Sequence, residues 1–230
     1  MNKHLHKILV CLTCLVLGYQ YGRAQVAPSV PTLNNMALQF TAGSQGLGVD
    51  FKYGITNNLS ARFGGSFLPV KANNVFNFSS FESNTVAKAD FNNVHLYADF
   101  TPFESVSWLR VVGGAGYLFK ASGNLDVTPT GTYKVANYTI SNEELGLMNV
   151  DMSWKGIAPY AGLGFFNAFP KSRFNVNLDL GTYYVGSPKS TVVGTQLLSE
   201  NYKLEPQLNE NMKDYKWLPV MQINFNFKIR

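Results

Sequence analysis

From Met221 to Ile229 the chain reads MQINFNFKI, with apolar residues at every odd number and polar ones at every even number. A period of two puts successive side chains on opposite faces of an extended strand. The same alternation recurs in segments bounded by Gly, Asn, Pro and Ser, and it predicts eight strands. They cover Met36–Ala42, Gly46–Ile55, Leu59–Val70, Ala89–Thr101, Trp108–Ala121, Trp154–Asn167, Arg173–Val185 and Trp217–Arg230. The segment 196–215 has room for a short amphipathic helix, which Pro206 interrupts.

The connections alternate in length. Those at 56–58, 102–107 and 168–172 are tight, whereas those near 71–88, 122–153 and 186–216 are long. Outer-membrane barrels have short periplasmic turns and long external loops, and with an even number of strands both termini fall at the short-turn end.

Sorting the strands by parity separates two faces. One carries Val49, Phe51, Phe63, Phe67, Leu96, Val111, Leu163, Val176, Leu180, Ile223 and Phe225, and it holds no charge. The other carries Asp50, Lys52, Arg62, His95, Asp99, Arg110 and Asp179, with several asparagines and glycines such as Gly64, Gly114, Gly164 and Gly181. A soluble sandwich would bury the first face and show Lys, Glu and Thr on the second. Small residues and opposite charges instead suit the cramped bore of an eight-stranded barrel. An Arg or Lys on the lipid side costs about 2–4 kcal/mol at the bilayer midplane, which accounts for an uncharged outer face. The expected fold is therefore all-β: an eight-stranded antiparallel transmembrane up-and-down barrel, closed by pairing of its last strand with its first.

Charged residues make up 14% of the chain, low against about 25% in soluble domains. Residues 1–24 have the plan of a cleaved signal peptide. Lys3 and Lys7 precede the apolar run Ile8–Gly18, and Gly22 and Ala24 mark a small-residue cleavage site. A lipoprotein signal is the competing reading, but neither Cys11 nor Cys14 follows a run of small residues. Removal of Lys3, Lys7 and Arg23 takes the net charge from +5 to +2, too little to argue for nucleic acid. The expected barrel domain, 25–230, keeps no cysteine and a single histidine, His95, so neither a metal site nor a cofactor is expected.

The stretches GLGVDFKYGITNNLSARFGGSF (46–67), LYADFTPF (96–103), LRVVGGAGYLF (109–119), APYAGLGFFN (158–167), NLDLGTYYVGSPK (177–189) and WLPVMQINFNF (217–227) together resemble the small outer-membrane barrels of Gram-negative bacteria, the OmpA/OmpX/OmpW-like group. The resemblance implies an outer-membrane location among lipid and lipopolysaccharide, and a monomer. It also implies insertion by the barrel-assembly machinery, which reads a C-terminal amphipathic strand with a terminal aromatic; Phe225 and Phe227 suit this, and Arg230 departs from it.

The inward charges are the main candidate chemistry. In the simplest hairpin register Asp99 and Arg110 lie opposite one another, and Asp50 lies diagonal to Arg62. They form an expected network of Asp50, Lys52, Arg62, His95, Asp99, Arg110 and Asp179, either a paired-charge plug or a polar lining that conducts. His95 raises the question of a lipid A-modifying enzyme, but no Ser/His/acid grouping is visible. A structural histidine bonded to neighbours such as Asp99 or Tyr97 is expected instead, in a non-enzymatic protein. Two interfacial aromatic girdles are expected. Phe100, Phe103, Trp108, Phe169 and Trp217 would lie at the short-turn end, with Tyr117, Phe119, Trp154, Tyr183 and Tyr184 at the other. The loops 73–88 and 128–153, rich in Asn, Ser, Thr and Tyr, suit surface recognition.

Overall fold

A computed structural model describes residues 35–74, 82–135 and 138–229. The expected signal peptide and residues 75–81 of the first long loop lie outside them.

The described chain forms β1 (Met36–Gly43), β2 (Gly46–Gly54), β3 (Leu59–Asn73), β4 (Ser83–Phe100) and β5 (Leu109–Pro129). A small hairpin, β6 (Tyr133–Val135) and β7 (Tyr138–Ile140), leads to a one-turn helix, α1 (Asn142–Leu145). Then come β8 (Met148–Phe165), β9 (Phe174–Tyr184), β10 (Lys189–Gly194), a 3-10 stretch (Gln196–Leu204), α2 (Glu205–Met212) and β11 (Trp217–Lys228).

Eight of these strands make a closed antiparallel ring, β1-β2-β3-β4-β5-β8-β9-β11. Closure is made by β11, which pairs with β9 on one side (Ile223 with Leu178) and with β1 on the other (Phe225 with Phe40). No ring strand then has a bare edge along the stretch where it is paired on both sides. The alternation of apolar and polar residues becomes an alternation of outside and inside: Ile157 is 77% exposed and its neighbour Ala158 only 1%. Phe51, Phe63, Leu96, Val111, Leu163, Ile223 and Phe225 all face outward.

The strands are unequal. β1 and β2 stop at a tight turn, Ser44–Gln45, whereas β3, β4, β5 and β8 run on past the long-loop rim. There β10 joins the upper half of β8, pairing Lys189 with Ser153 and Gly194 with Met148. Within β5 the register to β8 shifts between Leu118 and Ala121, a bulge that turns both Phe119 and Lys120 outward. Beyond it the even-numbered residues of β5 face out.

The segment 196–215 lies at the long-loop end, against β10. Pro206 starts α2 rather than breaking it, because the first helical turn needs no amide from that residue. The helix covers an otherwise open edge. Asn209 accepts from the Ser190 N–H (2.9 Å) and donates to the Ser190 carbonyl (3.1 Å), and Glu205 accepts from the Val192 N–H (2.8 Å).

This capping sets a test. With Asn209→Ala and Glu205→Ala combined, the amides of Ser190 and Val192 should exchange with solvent roughly fivefold faster, from the loss of about 1 kcal/mol per bond. Amides of the ring strands should be unchanged, as read by hydrogen-exchange mass spectrometry.

Candidate functional site

Alternation on five strands brings the inward charges to one level of the bore. Lys52 comes from β2, Arg62 from β3, Asp99 from β4, Arg110 from β5 and Asp179 from β9. All five are buried, and Lys52 and Arg110 have no exposed surface. A charge so enclosed is tolerated only with partners.

Arg110 bridges two carboxylates, with Nη1 2.9 Å from Asp99 Oδ1 and Nη2 2.9 Å from Asp179 Oδ1. Arg62 reaches the same pair, at 2.6 Å to Asp179 Oδ2 and 3.2 Å to Asp99 Oδ1, and lies 4.0 Å from Asp50 Oδ2. Lys52 Nζ is 3.1 Å from Asp99 Oδ2. Asp50 is held by His95 Nε2 at 2.9 Å and by the Gln39 amide at 2.7 Å. Three cations therefore face three carboxylates across the bore, each with a partner among the described residues.

The inward glycines make room for this network. A Cβ on Gly64 would collide with Asp50 Oδ1, one on Gly164 would lie 2.5 Å from the Arg110 guanidinium carbon, and one on Gly181 would collide with the Tyr160 hydroxyl.

Below the charges the β8–β9 turn closes the short-turn mouth with its backbone. Arg110 Nε donates to the Phe166 carbonyl (3.1 Å), Lys52 to Ala168 (3.1 Å) and Asn175 to Asn167 (2.8 Å). Phe166, the residue after β8, has φ +70, a left-handed conformation that costs a residue with a Cβ about 1–3 kcal/mol. The hydrogen bonds to the turn offset that cost. Phe169 tucks in beneath Lys52, its ring centre 5.6 Å from Nζ.

Above the charges lie three tyrosines. Tyr97 and Tyr183 share a hydroxyl–hydroxyl bond, and Tyr160 packs on both, with ring centres 4.5 and 5.1 Å away. The Gln45 side chain folds back from its turn into the bore and accepts from Tyr183, Ser66 and Asn93, each at 3.3 Å. Leu118, Ala121, Ala158 and Val220, with Phe91, Trp154 and Leu218 against them, fill the level above.

All seven residues of the expected network point inward, and the geometry differs from expectation in detail. Asp99 lies opposite Val112, so Arg110 is its diagonal neighbour. The 3-10 turn Glu104–Val106 lengthens the connection and shifts the register, and the long Arg side chain spans the offset. The partners of His95 are Asp50 and Asn93 (2.7 Å), not Asp99, while Tyr97 stacks on its ring at 4.4 Å. Phe100, Trp108, Tyr117 and Tyr184 face outward as girdle positions require. Trp154 does not. It pairs with the buried Ala121 and shares the inward parity of Ala158 and Tyr160, so it roofs the bore. Tyr183 is likewise inside. Trp217 faces outward but at the long-loop end, packed on Tyr184, because β11 runs from that rim to the other. Gln39, Gln45, Asn93 and Asn224 were missing from the expected network although strand parity or turn position put them within reach; the turn carbonyls leave no trace in side-chain patterns.

No protein-family model matches the sequence, and no curated protein matches it. Among solved structures the fold matches Acinetobacter baumannii CarO, with a TM-score of 0.62 and 26% identity over 85% of this chain and 98% of that one. It also matches CarO2 of the same organism, with a TM-score of 0.60 and 20% identity over 84% and 98%. Both are Gram-negative outer-membrane barrels. This chain is an outer-membrane β-barrel protein. Its short turns are periplasmic, its long loops extracellular, and its uncharged outer face is the lipid surface.

Removing one member of the ion network should be far more damaging than removing a surface charge. Asp179→Ala takes one carboxylate from both Arg62 and Arg110, leaves three buried cations facing two carboxylates, and is expected to cost about 3–5 kcal/mol. Asp126→Ala, which breaks an exposed pair with Lys88 on the extracellular sheet, is expected to cost about 1 kcal/mol or less. Urea unfolding in lipid vesicles, followed by tryptophan fluorescence, measures both.

Proposed function

We propose that this barrel is closed to ions and acts structurally or through surface contacts, without enzymatic activity. The observation that carries the reading is the triple seal of the bore: turn carbonyls at the periplasmic mouth, the three-against-three ion network, then tyrosines and apolar side chains. Eight strands leave a bore only wide enough for side chains, which favours a plug over a pore. The extracellular sheet built from β3, β4, β5, β8 and β10 extends the barrel beyond its long-loop rim, which favours a role outside the cell. Both ring nitrogens of His95 are engaged by Asp50 and Asn93, which supports a structural histidine rather than a general base. Processing after Ala24, insertion by the barrel-assembly machinery through β11 and a monomeric state belong to the same reading.

One observation favours a second reading, a narrow path for small solutes. Along the seam of β1 and β11, buried polar atoms of Gln39, Thr41, Gln222, Asn224 and Asn226 have no hydrogen-bond partner among the described residues. Thr41, Gln222 and Asn224 line a small polar cavity with Asp50 and Arg62.

Planar-bilayer recording separates the two. The plug reading expects no stable conductance steps from the purified protein, and steps from an Arg110→Ala, Lys52→Ala double variant that removes the ties to the periplasmic turn. Stable steps from the unaltered protein, abolished by bulky residues at Thr41 and Asn224, would favour the path.

A further inference from the structure

The outward face changes character abruptly at the β5 bulge. On its membrane side the outward residues are Tyr117 and Phe119 on β5, Ile157 on β8 and Val94 on β4, all exposed and apolar. The next outward residues are Lys120, Lys155 and Asn92, and one step further come Ser122, Ser153 and Lys189, paired in one row. The lipid-facing part of β5, from Leu109 to Phe119, spans about 25 Å of membrane thickness at 3.3 Å per residue and 40° tilt, the height of an outer-membrane apolar band. Lys120, Lys155 and Lys189 therefore stand at the level of the extracellular headgroups.

The bulge creates this arrangement. Without the extra residue Lys120 would face the apolar roof of the bore; with it, Phe119 and Lys120 both point outward, an apolar anchor beside a cation. Lys120 is bound to the half-buried carboxylate of Asp90 (2.6 Å), which lies beside Ser122 in that row, and Asp151 lies one row further from the membrane. Lys155 and Lys189 form no ion pair among the described residues, and both are exposed. Between them the hydroxyls of Ser122 and Ser153 are half-buried on the same face.

We infer that Lys120, Lys155 and Lys189, with Ser122 and Ser153, bind the phosphate of a phosphorylated sugar lipid in the outer leaflet, while its acyl chains lie along Phe119, Tyr117 and Ile157. Charge complementarity and continuity with the lipid surface both point to this occupant: a free anion would gain nothing from the apolar strip directly below the cations. Lysine supplies point charges on long stems that reach from the sheet to the headgroup layer.

The test is native mass spectrometry of the detergent-solubilised full chain with bisphosphorylated lipid A, its dephosphorylated form and phosphatidylglycerol. The bisphosphorylated lipid should be retained preferentially, and K120Q/K155Q/K189Q should lower that preference by about tenfold or more. The control K134Q/K171Q/K203Q should leave it intact. Heat-modifiable migration on gels checks that each variant is folded, and K155Q/K189Q alone serves if the triple variant is not. Equal retention of the phosphorylated and dephosphorylated lipids, an undiminished preference in the folded variant, or equal lysine-dependent retention of phosphatidylglycerol would each overturn the assignment. None of these outcomes bears on the closure of the bore, which conductance reads separately.

Discussion

The constraint on which the molecule rests is that a backbone amide in hydrocarbon has no water to bond to. A sheet can satisfy it only by closing, and here closure is the pairing of β11 with β1. From that one requirement the rest follows in order. Closing eight strands fixes a narrow bore, the narrow bore forces small residues opposite large ones, and the large ones it admits are charged at one level and aromatic at the next. Because no solvent reaches those charges, each must be met by another from across the bore.

This ordering explains why composition alone is a poor guide to the interior. In a soluble domain Arg110, with no exposed surface, would be an anomaly. In a closed barrel the apolar side chains are drawn to lipid, and the polar ones are left to pack against one another. Glycine then becomes a core residue by necessity: Gly164 is the flat wall against which the Arg110 guanidinium lies.

The strand pattern was legible because period-two alternation and the two environments coincide; all eight ring strands begin within a few residues of their expected positions, apart from the upward extensions of β4 and β8. Those extensions were hidden because outside the membrane both faces of a sheet can be polar, as in Ser83–Lys88, and the alternation fades. The inward direction of each charge was legible for the same reason as the strands. Partner choice was not. Arg62 reaches Asp179 on β9, 117 positions along the chain, a meeting that depends on curvature and register rather than on hairpin neighbours. The bulge at Phe119–Lys120 also escaped, since one inserted residue leaves the apolar pattern on either side intact. Trp154 was misplaced by judging an aromatic from its height along the strand when its parity already assigned it to the bore.

The ties among Lys52, Arg62, Asp99, Arg110 and Asp179 join β2, β3, β4, β5 and β9, so they act as spokes inside a thin hoop. A hoop of strands alone ovalises easily under the lateral pressure of a crowded bilayer, because hinging a sheet between its strands breaks few hydrogen bonds. With spokes just above the periplasmic turn, ovalising stretches an ion pair along one diameter and crowds like charges along the other. Cross-sectional stiffness in this protein is thus a property of its ionic interior, while its greasy exterior only holds it at the right depth.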